Sequence, residues 1–230
     1  DDVLFRYRIR PSSRNSAVSS SSDALRELRE AFRLDGGEWD VDNNVYVVGD
    51  DSNVYVVDPS HDLDAVAELV GDRHVEGILL THAHNDHCEL APEAAKRFDT
   101  EVYLHPDDDM LWQESNGDAP YTPLADRGQF DIGGEKITVY HTPGHSPGCV
   151  VLHVGETLLS GETLLSGDTL FNGGPGATGR KYSDFDVIIE SLKNVVFTLP
   201  EDTKVLPGHG DATTVGAEAA RLDEYIERGY

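Results

Sequence analysis

Cysteine is nearly missing from this chain of 230 residues: Cys88 and Cys149 are its two. A single pair makes no disulfide framework, which excludes the small stapled folds of secreted proteins and points to a reducing cytoplasm. No apolar run approaches the ~18 residues of a membrane-spanning helix. The opening Asp1-Asp2-Val3-Leu4-Phe5 also lacks the basic-then-apolar layout of a signal peptide. Lysine is scarce as well. Five lysines and 13 arginines face 43 acidic residues, for a net charge of −25. With no basic stretch, nucleic acid and anionic membranes are excluded as partners. That leaves a small-molecule ligand as the expected partner, with the oligomeric state open.

This acid excess and lysine poverty resemble the proteins of salt-loving archaea. The reading has a direct test. Like-charge repulsion destabilises a compact state in dilute buffer, and added salt screens it. The melting temperature is therefore expected to be higher in molar KCl than at about 0.1 M. A flat or falling melting temperature over that range removes the halophile reading.

Hydrophobic content is 38%, enough for a core if the apolar residues are periodic. Residues 1–10 alternate weakly, as a short strand does. Residues 11–22 hold seven serines and read as a flexible linker, and 23–29 as a short helix. A folded domain is expected over 31–230, with 1–30 as an N-terminal extension. From Phe32 the pattern turns to β. Val45 to Val48 and Asn53 to Asp58 flank a Gly/Asp turn and read as a hairpin. NVYVV occurs twice, at 44–48 and 53–57, and ETLLSG twice, at 156–161 and 162–167. Neither has a solenoid period.

Apolar spacing predicts a helix over 63–70, a strand over 77–81, a helix over 90–98 and a strand over 101–105. Residues 106–127 read as one long irregular loop. Strands follow at 129–131, 135–140, 149–154 and 164–165. Helix 184–199, strand 204–206 and helix 216–228 close the chain. Strands alternating with βα units fit an α/β chain of two sheets with helices outside them.

The chemistry concentrates in Thr81-His82-Ala83-His84-Asn85-Asp86-His87, directly after the apolar run Gly77 to Leu80 and before a helix start. Scattered histidines are commonly surface residues. Three histidines and an aspartate within six positions behind a strand are not explained that way. Imidazole and carboxylate donors suit zinc, iron or manganese rather than calcium or magnesium. Three further strand ends each present ligand-type side chains on a turn. They are His141 and His145 in Tyr140 to Gly148, Asp168 in Leu164 to Phe171, and His209 in Leu206 to Gly210.

In this order, H-x-H-x-D-H, G-H-x-P-G, S-G-D-T-L-F and G-H-G resemble the metallo-β-lactamase superfamily over about residues 31–230. Within it they are most similar to the glyoxalase II-like thioester hydrolases. The resemblance implies an αββα sandwich with two divalent metal ions, zinc first, at one edge of the sheets. It assigns His82, His84 and His145 to the first ion and Asp86, His87 and His209 to the second. Asp168 becomes the bridge. Five neutral imidazoles and two carboxylates hold two divalent ions with net positive charge, enough to bring a bridging water to hydroxide near neutral pH. Asp86 and Asp168 are then the catalytic carboxylates. Attack on a thioester carbonyl needs no serine or cysteine nucleophile.

The resemblance also gives Arg180 and Tyr182, after the bridge, to the thiol half of the substrate. The glycine-rich loop before them is similar to that of actinobacterial hydrolases that use thiols other than glutathione, so the thiol stays open. His141 is read as a partner orienting a ligand or as a satisfied strand-end residue. His61, His74, His105 and His153 are read as structural or surface, and Cys88 as a small buried residue. Other readings on the same scaffold are a lactonase or other ester or amide hydrolase, and a persulfide dioxygenase with a single iron.

Overall fold

The computed structural model describes residues 4–9, 30–34, 37–155 and 161–229. Strand β1 (Leu4–Ile9) is followed by the hairpin β2 (Glu30–Leu34) and β3 (Gly37–Val41), then by the hairpin β4 (Asn43–Gly49) and β5 (Asn53–Val57). Next come α1 (Leu63–Val70), β6 (His74–Leu79), the one-turn α2 (Asn85–Cys88), α3 (Ala91–Phe98) and β7 (Val102–Leu104). A 3-10 turn at Pro106–Asp108 leads into α4 (Asp109–Asn116) and β8 (Thr122–Pro123). The second half holds β9 (Gln129–Ile132), β10 (Glu135–His141), β11 (Val150–Val154) and β12 (Thr163–Gly167). It continues through β13 (Leu170–Phe171), β14 (Gly174–Pro175), α5 (Phe185–Asn194), β15 (Lys204–Pro207) and β16 (Thr213–Thr214). Two short helices, α6 (Val215–Ala219) and α7 (Leu222–Arg228), end it.

Two six-stranded sheets carry the fold, in the orders β1-β4-β5-β6-β7-β8 and β16-β15-β12-β11-β10-β9. Each mixes antiparallel pairs with parallel ones, β5 with β6, β6 with β7, β7 with β8 and β12 with β15. The NVYVV repeat is explained by burial on both faces. Tyr46, Val48, Tyr55 and Val57 pack between the sheets against Ile137, Leu152 and Leu165. Val45, Val47, Val54 and Val56 face the other way, onto Val66, Ala94 and Trp112 of α1, α3 and α4. A strand covered on both sides reads as a continuous apolar run, so the same pentapeptide serves both arms of the hairpin. α5 covers the outer face of the second sheet through Ile188, Ile189 and Leu192. Helix, sheet, sheet and helix layers follow, as expected. Among the described residues no helix is long and apolar enough to cross a membrane.

Several expectations need correction. Residues 106–127 are not one irregular loop, because they contain the 3-10 turn, α4 and β8. Two buried apolar residues, Leu111 and Trp112, anchor α4, and Gly117 ends it; so short an apolar stripe is masked by the acidic residues around it. The helix expected over 184–199 stops at Asn194, and Val195 leaves helical geometry before a 3-10 turn. The helix expected over 216–228 is two, broken at Ala220 and Arg221. β6 ends at Leu79, not Thr81; the backbone N–H and hydroxyl of Thr81 are taken by the Asp58 carboxylate. The serine-rich linker at 11–22, the helix at 23–29 and residues 156–160 of the first ETLLSG copy lie outside the described residues.

Candidate metal centre

Strand ends deliver the ligand-type side chains to one edge of the sandwich. The loop after β6 brings His82 and His84, and α2 brings Asp86 and His87. His145 comes from the β10–β11 connection, Asp168 from the end of β12 and His209 from the end of β15. The structure gathers them into two groups, His82/His84/His145 and Asp86/His87/His209, each with candidate ligand atoms within 4.8 Å of one another. Asp168 reaches both. Its Oδ2 lies 3.5 Å from His145 Nε2 and 3.3 Å from His209 Nε2, and its Oδ1 lies 3.5 Å from His87 Nε2.

Glycine lets the backbone come this close. A Cβ at Gly208 would stand 2.3 Å from Asp168 Oδ1, and one at Gly176 1.8 Å from the Asp168 carbonyl oxygen. A side chain at Gly208 would displace the Asp168 carboxylate, and one at Gly176 the backbone that carries it.

The rings are held from behind. Carbonyl oxygens only accept, so His209 Nδ1 donates to Asp42 O (2.7 Å) and His145 Nδ1 to Ala177 O (2.8 Å). His87 Nδ1 donates to Asp58 Oδ2 (3.0 Å). Each bond fixes a tautomer and turns Nε2 inward, which is how metal-binding histidines are oriented. Asn43 donates to the Asp86 carbonyl (3.0 Å) and to its Oδ2 (3.1 Å), and is itself bonded through Oδ1 to His61 (2.7 Å).

Among the described residues, three buried atoms in this centre have no hydrogen-bond partner: His82 Nε2, Asp86 Oδ1 and Asp168 Oδ1. Buried polar atoms are normally satisfied, and three lone-pair donors aimed into one cluster fit bound cations. The electrostatics agree. Burial keeps His82 and His84 neutral, His84 down to about 3, and burial also lowers His145. Burial acts the same way on His87 and His209, but Asp86 and Asp168 outweigh it and raise both, His87 to about 9. Burial alone would push the Asp168 carboxyl up; the His209 and His87 charges overcome it and hold it well below its ordinary range. The buried carboxylates thus demand positive charge, from protons or from divalent ions.

Sequence reasoning missed Asp58 and Asp108. Asp58, at the end of β5, serves both Thr81 and His87. Asp108 is fully buried, and its carboxylate accepts from Ala83 N (2.9 Å), Ser146 Oγ (2.7 Å) and Gly148 N (2.5 Å). It ties the His82–His84 loop to the His145 loop. Burial pushes its carboxyl up, against those three donors. His61, read as structural or surface, reaches Asp86 through Asn43.

The remaining candidates fall elsewhere. His141 donates to Pro147 O (2.8 Å) and stacks on His105, with ring centroids 3.9 Å apart and planes 12° from parallel. With Asp107 they form a further His/Asp group, but there His141 Nε2 is used by Pro147 O and His105 Nδ1 accepts from Asp107 N. Cys88 joins none of the groups among the described residues; its thiol donates to Ala83 O. The extended backbone that would set Arg180 and Tyr182 on one side is not formed. Tyr182 has φ +69° and is exposed, and the Lys181 ammonium lies 4.5 Å over its ring. The Arg180 N–H is bonded to Ser183 Oγ (2.9 Å).

A sequence profile described as the metallo-beta-lactamase superfamily matches residues 39–209. The probable metallo-hydrolase YqgX of Bacillus subtilis is 31% identical over 190 residues, 76% of this chain and 88% of YqgX. The hydroxyacylglutathione hydrolase GloC of Haemophilus influenzae is 28% identical over 74% of this chain and 85% of GloC. Among solved structures, TTHA1623 in a di-iron-bound form superposes with a TM-score of 0.67 at 33% identity, covering 78% of this chain and 93% of that one.

Proposed function

The chain belongs to the metallo-beta-lactamase superfamily, and from that premise we propose a dinuclear metal-dependent hydrolase that cleaves a thioester of a small thiol, as glyoxalase II-like enzymes do. The carrying observation is Asp168, one buried carboxylate within 3.5 Å of three histidines drawn from both ligand groups. A single-iron persulfide dioxygenase would leave Asp86, His87 and His209 without a task. The likeness to GloC supports thioesters over lactones or other esters and amides. The donor set favours zinc. The di-iron form of TTHA1623 makes iron the first alternative, ahead of manganese.

Two divalent ions held here would supply a Lewis acid for a carbonyl oxygen and hydroxide at neutral pH. The chain's own part is arrangement. His82, His84 and His145 are neutral and offer lone pairs. Asp58, Asp42 O and Ala177 O keep the rings from turning, and Asn43 holds Asp86. Burial pushes the thiols of Cys88 and Cys149 up, so neither is a nucleophile. The free buried cysteines and the charge of −25 support a small-molecule enzyme of a reducing cytoplasm, in a salt-loving archaeon.

Protein purified without chelator is expected to carry two equivalents of metal by elemental analysis and to hydrolyse members of an acyl thioester panel. One reproducible iron per chain, with oxygen consumed on a persulfide, overturns the reading.

A further inference from the structure

A cleft of about 280 Å³ opens at His84, between α2 and α4. Drug-sized ligands occupy pockets of roughly 300–1,000 Å³, so this one suits part of a small substrate. Ala83 and Leu111 supply its apolar lining, and Asn85 and Ser115 neutral polar groups. Its charged residues are Glu89 and Glu114, both acids, and neither Arg180 nor Tyr182 lines it. The loop that follows Asp168 reaches across to this wall. Lys181 Nζ lies 2.9 Å from Glu114 Oε1 while standing over the Tyr182 ring. Of the two acids, Glu114 is thus already paired with an ammonium, that of Lys181.

We propose that the cleft holds one half of the substrate and that Glu89 and Glu114 select an ammonium group there over a carboxylate. The inference rests on the thioesterase reading and narrows it to an amine-bearing substrate. Lys181, held by Glu114, competes with that ammonium and sets how strongly Glu114 contributes. The overall charge of −25 draws cations from a distance whatever the cleft does; the claim concerns a local preference beyond that field.

The test uses the metal-loaded full chain and six small thioesters carrying an ammonium, a hydroxyl or a carboxylate at the thiol end or at the acyl end. At one end, kcat/KM is expected to favour ammonium over carboxylate by about tenfold, a size fitting one charge pair near a protein surface. Glu89→Gln and Glu114→Gln should each reduce the preference severalfold with two metals retained, and Lys181→Gln should increase it. Glu93→Gln, an exposed change on α3, serves as the control for the general field, and molar KCl should shrink the preference. No preference at either end, a preference for carboxylate, or equal effects of Glu93→Gln and the cleft variants overturns the proposal. If none of the six is hydrolysed, the thioesterase reading itself fails, which is a different outcome from hydrolysis without discrimination.

Discussion

Replacing Asp168 by alanine is expected to cut turnover at least about a hundredfold and to release at least one of the two metal equivalents. Asp168 is 7% exposed, and its carboxylate stands 3.3–3.5 Å from three imidazole nitrogens contributed by three separate segments. Its loss removes a negative charge from a site that would hold two dications. It also leaves His145 and His209 with no group between them, so both ions lose a ligand at once. The orienting bonds of His87, His145 and His209 run to Asp58, Ala177 O and Asp42 O, not to Asp168. The fold should therefore survive, and circular dichroism and melting of the metal-free protein should stay near wild type. Elemental analysis and thioester turnover, measured on one preparation, decide it. A variant that keeps two metals and wild-type turnover would show that Asp168 bridges nothing.

The gathering of ligand-type side chains at one edge was legible in the sequence where side-chain type and spacing act together. H-x-H-x-D-H packs four donors into six positions, and G-H-x-P-G and G-H-G set histidines in turns that only glycine permits. Asp58 and Asp108 were not legible, for topological reasons. Asp58 follows an ordinary buried strand and looks like a turn residue; its role exists because β5 lies parallel to β6, next to the His82 loop. Asp108 is the middle of three consecutive aspartates. Its neighbour Asp107 is exposed and Asp109 partly so, and Asp108 is fully buried. Nothing in an acidic run marks the member that will turn inward. That is decided by the 3-10 turn after β7, which brings residue 108 under Ala83 and Ser146. The same acidity hid α4, in which only Leu111 and Trp112 are buried. Helix 63–70 was legible to the residue, because a long apolar stripe and an aspartate cap coincide there.

Asp108→Asn is expected to weaken the first metal by about 10- to 100-fold and to leave the second much less affected. The substitution keeps the shape of the side chain and replaces one acceptor oxygen by an amide donor. The wild-type carboxylate meets only donors: Ala83 N–H and the Ser146 hydroxyl at Oδ2, Gly148 N–H at Oδ1. Whichever way the amide turns, its NH2 faces a backbone N–H, and that pair cannot bond. A buried donor left unsatisfied costs about 1–3 kcal/mol, and the strain falls on the loops holding His82, His84 and His145. Asp86, His87 and His209 take none of their hydrogen bonds from Asp108, so the second group should hold. A chelator-competition titration resolves the two ions, and the visible spectrum of the cobalt-loaded protein reports the geometry of the first. Ser146→Ala removes one of the three bonds and opposes no donors, so it should cost severalfold at most. Equal weakening of both ions alongside a large fall in melting temperature would make Asp108 a general fold residue. An unchanged first-site affinity would mean that the two loops hold their geometry without it.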